Sequence, residues 1–145
     1  MSIHPSRRAS TLVELVLTLV MMGIVAAVAV PNIRTMLDRM SVRGATQDVV
    51  LGLWAARNVA TTRGEYVGFV VDAKAGRVRV VASGDTIFAR DIGARRGVAL
   101  AVTRDSITYA PTGIGYGAAN TRIVLSRGRR ADTITTSRLG RVSFE

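Results

Sequence analysis

The residues that could carry out chemistry are few in this chain of 145 residues. It contains no cysteine, and its single histidine is His4. Nucleophilic catalysis by a Ser-His or Cys-His pair and zinc binding through histidine need side chains that are absent after residue 9. The acidic residues are scattered, and none have the spacing of a calcium-binding loop. The composition therefore predicts a protein that is not an enzyme, with no catalytic residues, no metal site and no cofactor.

One acidic residue, Glu14, has a setting that indicates function. It lies near the start of an apolar run at residues 12–30, which contains no other charged residue. About 20 apolar residues cross a bilayer as a helix, so the length of the run fits a membrane span. A carboxylate in such a segment must be paired or protonated and is usually functional. The alternative is an acid that extends to the cytoplasmic interface of the membrane.

The residues on either side of the run indicate its orientation. Arg7 and Arg8 precede it, and basic flanks stay cytoplasmic, so we expect a cytoplasmic N-terminus and a head outside the inner membrane. Ala27-Val28-Ala29 leaves cleavage by a signal peptidase as an alternative. Pro31 follows the run, and its missing N–H predicts a kink or a local break in the helix.

Arginine dominates the charge of the chain. The net charge is +10, and Lys74 is the only lysine. Arginine side chains make bidentate contacts with phosphates, so a cluster of them is a candidate site for DNA. The alternatives are a solvated turn, a docking surface for other proteins, or a genome that prefers arginine codons. The candidate cluster consists of Arg122, Arg127, Arg129, Arg130, Arg138 and Arg141.

The helix that begins at the apolar run changes character after Pro31. From Asn32 to about Thr62, apolar residues recur at spacings of three, four and seven, apart from a gap around Gly44. This pattern predicts an amphipathic helix with one apolar stripe that needs a partner. The stripe consists of Ile33, Met36, Leu37, Met40, Val49, Leu53 and Ala56.

The remainder of the chain, after Arg63-Gly64, is typical of short strands separated by turns. In the first strand, Val67, Phe69 and Val71 lie on one face. A helix followed only by strands predicts an α+β fold, in which an antiparallel β head packs on the amphipathic part of the helix. We predict strands at 65–72, 77–82, 86–89, 98–103, 106–110, 121–126, 132–137 and 140–144, a loop at 111–117 and a turn at 127–130.

The motif Thr11-Leu12-Val13-Glu14-Leu15, after two arginines and before the apolar run, resembles the processing site of type IV pilins and type II secretion pseudopilins. In that family a short basic leader ends at a small residue, where a prepilin peptidase cuts. The resemblance implies cleavage between Ala9 and Ser10 and methylation of the new N-terminus at Ser10. Glu14 is then the fifth residue of the mature chain, and the resemblance implies that it pairs with the N-terminal amine of an adjoining subunit during filament assembly.

The same resemblance implies three parts of the chain. Residues 1–9 are a leader peptide, and residues 10–31 form the helix that spans the membrane and later lies in the filament core. Pro31 stands where the helix of pilins often loosens in the filament. Residues 32–145 form a periplasmic head, helical to about residue 62 and then β. The implied partners are a prepilin peptidase, other pilins or pseudopilins, and the inner membrane.

The C-terminal third is similar to the GspH/FimT branch of this family. Tyr109-Ala110-Pro111-Thr112-Gly113 matches a strand that ends in an aromatic-x-Pro-x-Gly turn, and Gly140-Arg141-Val142 matches a closing Gly-Arg strand. This similarity implies a minor pseudopilin, a structural subunit of the filament of type II protein secretion or of a type IV pilus. The alternative is a FimT-like minor pilin that binds DNA through its C-terminal arginines during natural transformation.

Overall fold

The computed structural model describes residues 11–116, 121–137 and 139–144. The chain divides into two compact units, one ending at Arg34 and the other beginning at Thr35. Within the described ranges it forms two helices and nine strands: α1 Leu12–Arg63, β1 Val67–Asp72, β2 Arg77–Ala82, β3 Asp85–Asp91, α2 Ile92–Arg96, β4 Ala99–Val102, β5 Ser106–Tyr109, β6 Gly115–Tyr116, β7 Thr121–Arg127, β8 Arg130–Thr136 and β9 Val142–Phe144.

The described part of the first unit is the N-terminal part of α1. Nearly all of its side chains between Leu12 and Val30 are exposed, and by length and composition this stretch can cross a membrane. The helix continues through Pro31, so the expected local break is absent. Asn32 Nδ2 donates a hydrogen bond to the carbonyl oxygen of Val28 at 3.1 Å. This side-chain donor lies beside the proline, which has no N–H of its own.

All of the strands lie in the second unit and form two antiparallel sheets. The first sheet has the strand order β3-β2-β1-β5-β6, and the second has the order β4-β7-β8-β9. The predicted hairpin in residues 65–82 forms, with Phe69 opposite Val80. The hairpin around residues 127–130 also forms, with Arg127 opposite Arg130. The predicted α+β fold, a long N-terminal helix packed on antiparallel sheets, is therefore confirmed.

One face of α1 is buried and joins the two sheets in a single hydrophobic cluster. Phe69 and Tyr109 contribute to this cluster from the first sheet, and Ile123 and Leu125 contribute from the second. Small residues on the helix allow a close approach, since a Cβ atom on Gly52 would lie 2.7 Å from Phe69 Cε2. The buried residues of α1 follow helical spacing and are Val42, Ala45, Thr46, Val49, Val50, Gly52, Leu53, Ala56 and Ala60.

The prediction of a single apolar stripe on α1 is wrong, because its members lie on two faces. Leu53 and Ala56 are fully buried. Met36 and Met40 are instead more than 60% exposed. At 3.6 residues per turn, the apolar residues before Gly44 point away from the face formed by those after it. The gap in the pattern at Gly44 is thus a change of face, and the head carries a second, exposed apolar face on α1.

The pattern of predicted strands did not include two short elements, helix α2 and strand β6. Helix α2 follows Asp91, whose carboxylate accepts a hydrogen bond from the Ala94 N–H at 2.9 Å, and ends at Gly97 with a left-handed φ of 61°. The Ala94 N–H and then the Arg77 guanidinium hold the pKa of Asp91 below its usual value. An aspartate before the helix and a glycine after it are visible start and stop signals. Strand β6 lies in the predicted loop and pairs with β5.

Replacing Gly52 with valine should destabilise the head by about 1–3 kcal/mol, because the added atoms overpack the core at Phe69. The same substitution at Ala55, which is only partly buried on the same helix, should cost about 0.5 kcal/mol or less. Urea unfolding of the full chain in detergent, followed by the fluorescence of Trp54, gives both free energies. Equal destabilisation by the two substitutions would contradict the close contact.

Candidate functional sites

Glu14, the acidic residue that is predicted to be functional, lies in the first turn of α1. The Glu14 N–H donates to Thr11 Oγ1 at 3.3 Å, and the Leu15 N–H donates to the Thr11 carbonyl oxygen at 3.2 Å. Thr11 therefore caps the helix, and Glu14 lies in its first turn. The predicted cleavage position, between Ala9 and Ser10, lies outside the described residues and stays a prediction.

This geometry adds a local role to the Thr11–Glu14 motif. A Thr-x-x-Glu sequence before an apolar run is the pattern of a capping box, a signal that was present in the sequence but was not used. An acid in the first turn is also stabilised by the helix dipole. The Glu14 side chain is exposed, so its carboxylate is accessible to a partner.

The five candidate arginines that lie in the described residues do not gather at one place. Arg127 and Arg130 lie opposite each other at the end of the β7–β8 hairpin, and Arg129 lies in the turn between them. These three residues form the hairpin tip. Arg122 lies five residues before Arg127 along β7, which is roughly 17 Å at 3.3 Å per residue.

Arg141 belongs to the end of the second sheet that is opposite the hairpin tip. Its N–H donates to Ser137 Oγ at 3.2 Å, and its carbonyl oxygen accepts from the Ser137 N–H at 2.9 Å. Ser137 directly follows Thr136, the partner of Thr121 at the start of β7. Arg138 lies outside the described residues. The structure therefore separates the predicted cluster into a hairpin tip and an opposite end with Arg122 and Arg141.

Arg127 is engaged within the protein. Its Nε lies 3.0 Å from Asp38 Oδ1, and its Nη1 donates to Ser41 Oγ at 2.8 Å and to the Arg96 carbonyl oxygen at 2.6 Å. The guanidinium thus connects β7 with α1 and with the end of α2. Gly128 lets the turn approach the helix, since a side chain there would meet Asp38 Oδ2 at 2.5 Å. Arg127 holds the hairpin tip against the helix.

Two further polar bridges attach α1 to the β head. Arg96 Nε lies 2.7 Å from Asp48 Oδ2, and Gly44 leaves the space in which the Arg96 guanidinium lies. Thr46, which is buried, donates through Oγ1 to Asp132 Oδ2 at 3.0 Å. These bridges were not predicted, because each joins residues that are far apart in the sequence.

A groove of about 750 Å³ lies between α1 and the edge of the second sheet. Arg39 and Arg43 of α1 and Arg130 of the hairpin tip line it together. We call it the basic groove. Within the described ranges none of these arginines has an acidic partner at ion-pair distance. The other lining residues are Val42, Thr46, Gln47, Val50, Leu51, Trp54, Ala131, Asp132 and Phe144.

The chemistry available at these sites is ion pairing and hydrogen bonding. In the part of the chain that the structure describes, no group of three or more His, Cys, Asp or Glu side chains is placed to hold a metal ion. The exposed cations of the basic groove and of the two ends of the second sheet favour anionic partners.

The sequence matches no model of a protein family and no curated protein sequence. Solved structures do match it. The type IV minor pilin FimU of Pseudomonas aeruginosa is similar in two crystal forms, with TM-scores of 0.63 and 0.59 and sequence identities of 14% and 13%. The matches cover 74% and 71% of this chain and 90% and 91% of FimU.

The minor pseudopilin EpsH from the type 2 secretion system of Vibrio cholerae is also similar. Its TM-score is 0.56 at 12% identity, and the match covers 70% of this chain and 93% of EpsH. These similarities show the fold. The chain has a type IV pilin-like fold, and the solved structures similar to it include a minor pilin and a minor pseudopilin.

Replacing Arg127 with alanine should destabilise the head by about 1–2 kcal/mol, because a partly exposed ion pair and two hydrogen bonds are lost together. The matched change of Arg129, which is exposed in the adjoining turn, should cost about 0.5 kcal/mol or less. A double-mutant cycle with Asp38→Ala isolates the pair and should give a positive coupling. Equal stability of the Arg127 and Arg129 variants would show that the bridge contributes nothing.

Proposed function

We propose that this protein is a minor pilin or pseudopilin, a structural subunit of a type IV pilin-like filament. The observation that carries the proposal is the fold, which is similar to those of FimU and EpsH. The exposed apolar stretch at residues 12–30 supports it, since an isolated exposed apolar helix needs a membrane or other helices around it. The protein then acts by packing into an assembly.

In this proposal residues 1–9 are a leader that a prepilin peptidase removes between Ala9 and Ser10, and Ser10 becomes the methylated N-terminus. The helix at residues 10–31, including Pro31, holds the subunit in the bacterial inner membrane and later enters the filament core. The N-terminus is cytoplasmic, and the head at residues 32–145 is periplasmic. The filament belongs to type II protein secretion or to a type IV pilus of the GspH/FimT type.

Glu14 has a defined role in this assembly. A carboxylate that enters an apolar filament core must be paired or protonated. The amine of Ser10 after cleavage is a cation four residues away along the chain, and the same group of an adjoining subunit can pair with Glu14. Such a pair neutralises both charges and fixes the register of neighbouring helices. The exposure of Glu14 beside the Thr11 cap supports its access to a partner.

Replacing Glu14 with leucine should leave cleavage of residues 1–9 intact and reduce incorporation into filaments at least tenfold. The full chain is co-produced with a prepilin peptidase and its filament system, cleavage is read by mass spectrometry, and incorporation is read in sheared filaments. Thr18→Leu is the matched control, because it changes a polar residue of the same segment and should incorporate normally. Normal incorporation of the Glu14 variant would reject the pairing role.

The alternative function, DNA binding during natural transformation, is favoured by one observation. Arg129 and Arg130 are exposed, and among the described residues neither has an acidic partner within ion-pair distance. Arg127 is engaged with Asp38, so the hairpin tip offers two cations to phosphates. Binding of this kind is non-specific and strongly dependent on salt.

DNA binding predicts that changing Arg129 and Arg130 together to alanine weakens the shift of duplex DNA by the full chain. The dependence of binding on salt should fall by about two units of slope, since two phosphate contacts are lost. Changing Lys74 and Arg79 to alanine removes the same charge elsewhere and should leave the shift unaltered. Absence of any shift at low salt rejects the DNA role.

A further inference from the structure

The basic groove contains cations that the fold itself does not use. Four other arginines of the head, Arg63, Arg77, Arg96 and Arg127, each lie within 3.6 Å of a carboxylate. Arg39, Arg43 and Arg130 instead line one groove, and the described residues give them no acidic partner. Among the described lining residues Asp132 is the single carboxylate, and it accepts a hydrogen bond from Thr46 Oγ1. Three cations thus face one anion, and the excess of positive charge attracts anions from outside. The groove therefore has the charge of an anion-binding site.

We propose that the basic groove binds the phosphate headgroups of anionic phospholipids, so that the head docks on the membrane that anchors it before filament assembly. The inference rests on the membrane anchoring in the proposed function. It concerns a surface of the head rather than the apolar helix itself. The ligand is a lipid phosphate with its attached glycerol and acyl groups. The proposed role in a filament does not require this site.

The chain places the groove within reach of such a surface. Arg39 lies nine positions after Val30, the end of the apolar run. At most 3.3–3.6 Å per residue, Arg39 lies within roughly 30 Å of that point whatever the orientation of the two units. The Arg127–Asp38 pair then holds the hairpin tip, with Arg130, at the first turns of α1 in the head. Arginines far apart in sequence are thus brought to the end of the head closest along the chain to the membrane segment.

Exposed apolar residues accompany the cations. Met36 and Met40 are 64% and 61% exposed, and they precede Arg43 by seven and three positions, which puts the three side chains on one face of α1. A face that combines basic and apolar side chains is suited to the headgroup region of a bilayer.

The interior of the groove distinguishes a lipid from duplex DNA. Its floor and walls include the apolar side chains of Val50, Leu51, Trp54 and Phe144. Glycerol and acyl groups can cover these surfaces beside the phosphate, whereas a duplex presents phosphates with its bases stacked inside. A volume of about 750 Å³ is in the range of pockets that hold small ligands.

The test uses the full chain in nanodiscs of neutral phosphatidylcholine or with about one third phosphatidylglycerol. The chain has no cysteine, so a fluorophore on Ala131→Cys, at the rim of the groove, is a unique probe of contact with lipids that carry a headgroup quencher. We expect quenching to rise at least twofold with phosphatidylglycerol and to return to the neutral value at 0.5 M salt. A probe on Thr112→Cys, in the turn that contacts α1 near its far end at Thr61, should not respond.

Changing Arg39, Arg43 and Arg130 together to glutamine should abolish the increase. Changing Lys74, Arg79 and Arg90, which are exposed on the first sheet and its turn, together to glutamine removes the same charge elsewhere and should preserve it; circular dichroism checks that both variants fold. Equal quenching in the two lipids, with the chain retained in the discs, overturns the docking and leaves the anchoring intact. Loss of the chain from both kinds of disc overturns the anchoring and the docking with it. Release of the head by an equimolar DNA duplex overturns the lipid assignment in favour of DNA.

Discussion

The head depends on the burial of a stripe of small residues on α1. Ala45, Gly52 and Ala56 have little or no side chain, so the sheets can approach the helix closely, and Phe69 lies over Gly52. The helix cannot rotate about its axis, because any other face would bring large or charged side chains into this narrow space. The choice of the buried face therefore also decides what is exposed, and it leaves Met40 and Trp54 on the outside of the head.

The arginines divide into two groups by their partners. Arg127 and Arg96 use their guanidinium groups to attach the hairpin tip and α2 to acids of α1. Arg39, Arg43 and Arg130 line the basic groove, and no described acidic residue lies within ion-pair distance of them. The arginines of this chain therefore have two different roles. Several planar side chains with many donors join elements that share little apolar surface, and the remainder give the head its positive field.

Local patterns allowed most of the elements to be predicted. Residues Val67, Phe69 and Val71 on one face identified β1, the turn at 73–76 placed β2 after it, and Gly128 placed the hairpin turn at residues 127–130. The Thr11–Glu14 motif was recognisable because it lies within one turn of helix. The buried face of α1 was not predictable, since both of its faces carry apolar residues and only the sheets select between them. The Arg127–Asp38 pair joins residues 89 positions apart, and its existence depends on the register of the second sheet against the helix.

The two kinds of attachment occupy different parts of the helix. Apolar burial on α1 begins at Val42, whereas the contact of Arg127 with Asp38 and Ser41 lies before it. The contacts of Arg127 with Asp38 and Ser41 therefore attach the β head to α1 one turn closer, along the chain, to the apolar segment. In the proposed function, a subunit is drawn out of the membrane by its helix, and load passes to the head at this point. Hydrogen bonds with fixed geometry resist sliding along the helix axis, which non-directional apolar contacts resist less.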